Sequence, residues 1–342
     1  MGVELFGTLP AGENVWRCTL KNKRGMSAQI ITLGAIIQSI RVPDREGNFE
    51  NVVLGRGDLA GYLAPRSPSA AVIGRVANRI KGHSFQLGGK VYDLAANEGN
   101  NTLHGGPGNY GRRNFALVDA DDSLVRLALR DHGEAGFPGE VDLEVCYHLN
   151  DEGLLIRYRA IPTEDTPVNL TNHVYFNLAG HGSGQINEQE LQIEADFYTP
   201  SDDENIPTGE ILPTRGTPFD FSAPRKFGPA MEELAASGDK KGGFDHNFVL
   251  KGRGMRKAAC ARDGQSGRVM EVFTDLPGMQ LFTANHMQEG TPGNDGASYT
   301  RHGAFCLETQ FFPNAIHVPH FPCCIVPANR IFSSATAYYF RT

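Results

Sequence analysis

Apolar and polar positions along this chain alternate in short runs with a period of two. Asp142 to Leu149 places Leu143, Val145, Tyr147 and Leu149 on one face, the pattern of a half-buried strand. Asn150-Asp151-Glu152-Gly153 then turns the chain into a second run, Leu154 to Arg159. Ala28–Leu33 and Ala35–Val42 read as early strands around Gly34. Ser84–Leu87 and Lys90–Leu94 flank Gly88-Gly89, which predicts a tight hairpin. Arg268–Thr274 and Met279–Ala284 are expected to pair about Leu276-Pro277-Gly278. Helical periodicity is confined to about one turn at Leu59–Leu63 and two at Pro229–Ser237. Punctuated by 40 glycines and 20 prolines, this series predicts an all-β, antiparallel sandwich or barrel with few short helices. Proline-rich loops over 199–229 decorate the sheet, and residues 1–342 are expected to form one domain.

Composition narrows the function. Hydrophobic residues make up 40% of the 342 and charged residues 21%, values of a globular chain rather than a disordered one. The net charge of -7, with no Lys/Arg cluster interleaved with aromatics, argues against nucleic acid and suits a neutral ligand. The longest apolar run, around Ile30 to Ile37, is too short to span a bilayer. No basic segment followed by a long apolar stretch opens the chain, so the expectation is a soluble cytoplasmic protein with no membrane partner. Six cysteines without metal-type spacing are expected as buried thiols.

The candidate chemistry lies in a few polar clusters. Ala304 to Leu307 reads as a short strand that delivers Glu308, with Phe311 and Phe312 close behind it to lower the local dielectric. That is a setting for a general base, although a surface carboxylate beside a core strand has the same look. Thr171-Asn172-His173-Val174-Tyr175-Phe176-Asn177-Leu178, read as a strand, puts His173, Tyr175 and Asn177 on one face. That face is either the floor of a site for a polyol or an internal hydrogen-bond network. Gly74-Arg75-Val76-Ala77-Asn78-Arg79-Ile80 carries two arginines. Arg75 is assigned a structural ion pair, and Arg79 offers a planar fork for hydroxyls or a carboxylate. His104 precedes Gly105-Gly106, where backbone can approach a ligand. Asp245 follows Gly242-Gly243 and can accept two adjacent hydroxyls or cap a turn. No phosphate loop, dinucleotide fingerprint, zinc motif or nucleophile elbow stands in a credible context. What remains is acid/base work by His and Glu on a neutral polar molecule.

Taken together, G-R-V-A-N-R-I, T-L-H-G-G, N-L-T-N-H-x-Y-F-N-L, G-F-D-H-N-F and C-L-E-T-Q, in this order over residues 74 to 310, resemble the aldose 1-epimerase (galactose mutarotase) family. The resemblance implies the supersandwich fold of that family and interconversion of the α and β anomers of free hexoses. It implies Glu308 as the base, His173 as the acid and His104 as an aid near the ring oxygen. Asn78, Arg79 and Asp245 would bind hydroxyls, with Tyr175 and Gln280 joining them. It further implies no cofactor or metal, a small aldose as the partner, and a monomer or weak homodimer. Phe311-Phe312-Pro313-Asn314 departs from the N-[FW]-P-D run more usual in the family, and Val326-Pro327-Ala328-Asn329 from its P-G-E turn; both changes are expected at the cleft rim. The alternatives are a glycoside hydrolase using Asp245 and Glu308, a catalytically silent sugar-binding module, and a hexose-6-phosphate epimerase. Glu⁻ and His⁺ are expected to coexist, the carboxylate favouring the imidazolium.

Overall fold

In the computed structural model, which describes residues 2–64 and 70–342, strands form where alternation predicts them. Val141–Leu149 buries Val141, Leu143, Val145, Tyr147 and Leu149. It pairs antiparallel with Leu124–Asp131 and Gly153–Pro162. These belong to a nine-stranded antiparallel sheet that continues through Phe332–Arg341, Val269–Thr274, Arg256–Arg262, Glu190–Ile193 and Arg225–Lys226. An N-terminal meander over residues 2–51 forms a five-stranded sheet. A second five-stranded sheet, ordered Leu212–Pro213, Ala195–Thr199, Asp245–Leu250, Gly278–Phe282 and Cys306–Gln310, carries the polar residues of interest; we call it the cleft sheet.

One apolar cluster draws on all three sheets: Ile37 and Val42 from the first, Val145 and Tyr338 from the large one, Phe248, Leu281 and Leu307 from the cleft sheet. Full burial of each such side chain stabilises by about 1.5–3 kcal/mol. The two-glycine hairpin forms as expected, Ser84–Leu87 against Lys90–Asp93. So do the two helices found among the described residues. Leu59–Leu63 is capped by Asp58, whose side chain accepts the Gly61 N–H. Phe227–Ala236 starts before the expected Pro229, which falls in its first turn.

Two expectations change. Val269–Thr274 and Gly278–Phe282 do not pair with each other. The first joins the large sheet between Arg256–Arg262 and Phe332–Arg341. The second joins the cleft sheet between Asp245–Leu250 and Cys306–Gln310. The Leu276-Pro277-Gly278 break is therefore a corner between sheets, with Leu276 buried and its N–H held by Thr274 Oγ1. All six cysteines are free, but Cys323 is exposed and Cys146 only partly buried.

Arg75 has the structural role its sequence context suggested. Its Nε donates to Asp131 Oδ2 at 2.8 Å, and its remaining nitrogens donate to Pro138 O, Thr166 Oγ1 and Gly139 O. Tyr110 Oη also donates to Asp131 Oδ2. Burial pushes the Asp131 carboxyl up, but the Arg75 hydrogen bond and charge outweigh it and hold the group below its usual range. Asp131→Asn leaves the buried guanidinium without a counter-charge. It should cost about 3 kcal/mol of stability near neutral pH, read from urea denaturation. That difference should fade as the pH falls through the depressed folded-state value.

Candidate active site

The cleft sheet turns one polar face away from the core. In register across three strands lie Asn247, Gln280 and Glu308, each at most 3% exposed. Burial of so many polar groups is tolerable only with partners. A row of amides supplies them: Gln310 Nε2 donates to Gln280 Oε1 at 3.3 Å, and Gln280 Nε2 to Asp245 Oδ1 at 2.7 Å. Glu308 stands apart from this row, with its Oε2 buried and without a hydrogen-bond partner among the described residues.

Facing Glu308 is His173, whose Nε2 lies 3.5 Å from Glu308 Oε1. His173 follows the two-residue strand Thr171–Asn172. Its ring stacks on Tyr175 at 4.9 Å and meets the rings of His104 and Phe282 edge-on at 5.6 and 6.0 Å. Arg79 is gripped by Glu98 through two hydrogen bonds, Nε to Oε2 at 2.5 Å and Nη2 to Oε1 at 2.8 Å. The resulting cleft has a volume of about 600 Å³. Asn78, Arg79, His104, His173, Tyr175, Asp245 and Glu308 all line it.

Of the eight site residues named from sequence, Gln280 alone does not reach the cleft; it backs Asp245. Asn177 is also displaced. The chain from His173 to Leu178 forms no strand, only bridges at Phe176, and turns at Leu178. Asn177 is buried, donating to the Gly184 and Gly303 carbonyls and accepting from Gln189. Phe311 and Phe312 pack against Phe332 and Phe321, and the apolar lining of the cleft comes instead from Leu103, Tyr175, Phe282, Ala284 and Met287. The expected rim departure lies behind Arg79: the Asn314 N–H donates to the Arg79 carbonyl, and Asn314 Oδ1 accepts the Lys81 N–H.

Glu98, Phe282, His286 and Met287 also line the cleft and were not singled out from sequence. Glu98 sits in the polar turn Asn97-Glu98-Gly99-Asn100-Asn101, whose composition announces a turn and gives no sign of an ion-pair partner. Both glycine motifs serve packing rather than ligand approach. A Cβ on Gly105 would lie 2.2 Å from the Gly74 carbonyl oxygen, and one on Gly243 2.2 Å from Asn285 Oδ1. The turns before Asp245 and after His104 are thus pressed against neighbouring backbone and side chains.

Burial also reverses the expected charges. It pushes the Glu308 carboxyl well above its ordinary range, the negative charge of Asp245 adds to this, and Arg79 partly offsets it. His173 is pulled down to about 4, again by burial. Desolvation of the imidazolium outweighs its hydrogen bond and the charge of Asp245, so the pair is driven away from Glu⁻ and His⁺. Between the two values it holds one proton, resting on Glu308. His104 and His246 are likewise depressed by burial. An imidazole whose folded value lies below its unfolded value of about 6.5 binds fewer protons in the native state. The imidazole contribution to stability therefore falls as the pH drops below about 6.5, by about 3 kcal/mol for His173 at pH 4, and opposes that of the raised Glu308. The urea midpoint of His173→Asn relative to wild type should therefore rise from pH 7 to pH 5.

Ligand atoms of His104, His173 and Glu308 lie within 4.8 Å of one another, a spacing compatible with a transition-metal ion. The donor set does not fit. His104 Nδ1 already accepts the Asn78 N–H, so in the neutral ring Nε2 carries the proton and has no lone pair for a metal.

A sequence model of the family described as aldose 1-epimerase matches residues 17–339. Galactose mutarotase of Sus scrofa is 41% identical over 338 residues, covering 98% of this chain and 97% of that protein. Aldose 1-epimerase of Escherichia coli K12 is 35% identical over 338 residues, covering 97% and 96%. Among solved structures, an aldose epimerase homologue from C. elegans superposes with a TM-score of 0.88 at 28% identity, covering 95% of this chain and 98% of that one.

Proposed function

This chain belongs to the aldose 1-epimerase family, and from that premise we propose that its cleft equilibrates the α and β anomers of free hexoses such as D-galactose and D-glucose through Glu308 and His173. As a mutarotase the protein is an isomerase. The observation that carries the assignment of roles is the buried pair itself: a carboxylate and an imidazole 3.5 Å apart at the wall of a polar cleft.

Ring opening removes the proton of the C1 hydroxyl and adds one to the ring oxygen. Glu308 takes the first and His173 Nε2 gives the second. The starting arrangement, with Glu308 ionised and His173 protonated, differs from the resting one by transfer of a single proton across the 3.5 Å gap. The C1–C2 bond then rotates in the open aldehyde, and closure from the other face runs both transfers backwards. The proton count of the pair is the same before and after, so no external donor is consumed. Arg79, Asn78 and Asp245 hold the remaining hydroxyls. Arg79 is the one guanidinium or ammonium group among the described residues lining the cleft, and Glu98 neutralises it. This favours an uncharged aldose over a sugar phosphate.

Polarimetry of freshly dissolved α-D-galactose tests the reading: relaxation to the equilibrium rotation should be faster with the protein than without it. An unchanged rate despite sugar binding would leave a binding module. Asp245→Ala removes a charged acceptor and should raise KM by about 10- to 100-fold, with a smaller effect on kcat. A steady-state KM close to the wild-type value would remove Asp245 from hydroxyl binding.

A further inference from the structure

Asn78 and His104, separated by 26 residues, clasp each other. The main-chain N–H of Asn78 donates to His104 Nδ1 at 3.1 Å. The main-chain N–H of His104 donates back to the Asn78 carbonyl at 2.7 Å. Both residues sit in the left-handed region, with φ 60° and 55°, a conformation that Asn and His adopt more readily than most. The close approach of Gly105 to the Gly74 carbonyl presses the two segments together from the next residue along.

The polarity of this clasp constrains chemistry. A backbone N–H can only donate, so Nδ1 must present its lone pair. In a neutral imidazole the proton then resides on Nε2. Burial, with His173 and Arg79 close by, holds the His104 value well below the ordinary imidazole range, which favours the neutral ring.

We propose that the Asn78 main chain fixes His104 in the Nε2–H form, making His104 a neutral hydrogen-bond donor to the sugar that takes no part in proton transfer. The inference rests on the mutarotase reading for its consequence, not for its structure. During ring opening, charge develops on the sugar oxygens, and a donor already oriented toward them stabilises that charge without reorganising. A neutral donor also leaves the proton count of the Glu308–His173 pair undisturbed. Asn78 is thus a positioning residue through its backbone, besides any contact its side chain makes.

Nitrogen-15 NMR of the imidazoles in the free protein reads the tautomer directly. His104 should show a pyridine-type Nδ1 and a pyrrole-type Nε2, unchanged from about pH 5 to about pH 8. The opposite assignment, or a mixture, would overturn the proposal whatever the enzyme does to galactose. Asn78→Gly keeps the N–H and suits positive φ, so the spectrum of His104 should persist. Its loss would place the lock in the Asn side chain and refute the main-chain origin.

Two substitutions separate donation from clasping. His104→Asn sets an acceptor where Nδ1 was and nothing where Nε2–H was; His104→Gln does the reverse. In folded variants kcat should fall about 10- to 100-fold in His104→Asn and at least several-fold less in His104→Gln. Equal rates, or Asn ahead of Gln, would reduce the ring to a structural clasp. If the wild type failed to accelerate mutarotation, the mutarotase reading would fall while the NMR result stood on its own.

Discussion

Glu308→Gln should lose at least about 100-fold, and up to about 10,000-fold, in kcat for mutarotation of α-D-galactose, while still binding the sugar. The two expectations have one cause. Burial beside the charge of Asp245 favours the protonated form of Glu308. A neutral amide of the same shape reproduces that state, so the cleft should keep its form and KM should move little. What the amide cannot do is take the C1 hydroxyl proton. The same substitution should stabilise the fold at higher pH. A carboxyl whose folded value lies above its unfolded value favours the native state at low pH and loses that advantage as the pH rises through the folded value. Glu308→Gln has no such loss, so its melting temperature should exceed that of wild type by a margin that grows toward alkaline pH. An active Glu308→Gln enzyme would remove Glu308 from the proposed role. An inactive one that melted early would point to a broken fold instead.

His173→Ala should cost a comparable factor in kcat, about 100-fold or more. The more telling measurement is the pH profile of the wild type. Catalysis requires one proton on the Glu308–His173 pair. Below about 4 His173 gains a second proton, and above the raised value of Glu308 the pair has none. The profile of kcat/KM should therefore be a bell, with its acid limb well below the ordinary imidazole range and its alkaline limb well above the ordinary carboxylate range. In His173→Ala the residual rate should lose that acid limb, because the group that gains the extra proton is gone. A wild-type acid limb near the ordinary imidazole value of about 6.5 would mean that His173 titrates as though solvated, contradicting its burial against Tyr175, Phe282 and His104.

Much of the strand pattern was legible because it depends on local alternation. Residues 142–149 and the hairpin about Gly88-Gly89 illustrate this, and seven of the eight named site residues meet in the cleft. What could not be read depends on which elements meet in space. The pairing expected between residues 268–274 and 279–284 fails because hairpin and corner share the same Pro-Gly punctuation, and only the choice of sheet distinguishes them. Asn177 is polar for the sake of the Gly184 and Gly303 carbonyls, a partner set scattered over more than a hundred residues. Glu98 resembles any acidic turn residue until Arg79 is placed beside it. The protonation of His173 is not legible in this way, because a sequence shows which charges are near but not how much water is excluded.

The row of amides behind Asp245 makes one apparently conservative exchange anything but neutral. With Gln280 donating to Asp245 Oδ1, that oxygen has one acceptor site fewer to offer a sugar than the second carboxylate oxygen. An asparagine at this position would have its single oxygen claimed by Gln280 and would show the cleft an NH₂. Substrate hydroxyls that donate to the acid would then face a donor, and those that accept would be favoured. Reading the opposite hydroxyl pattern would therefore need no rebuilding of the cleft, because Gln310 and Gln280 already determine which end of residue 245 is presented.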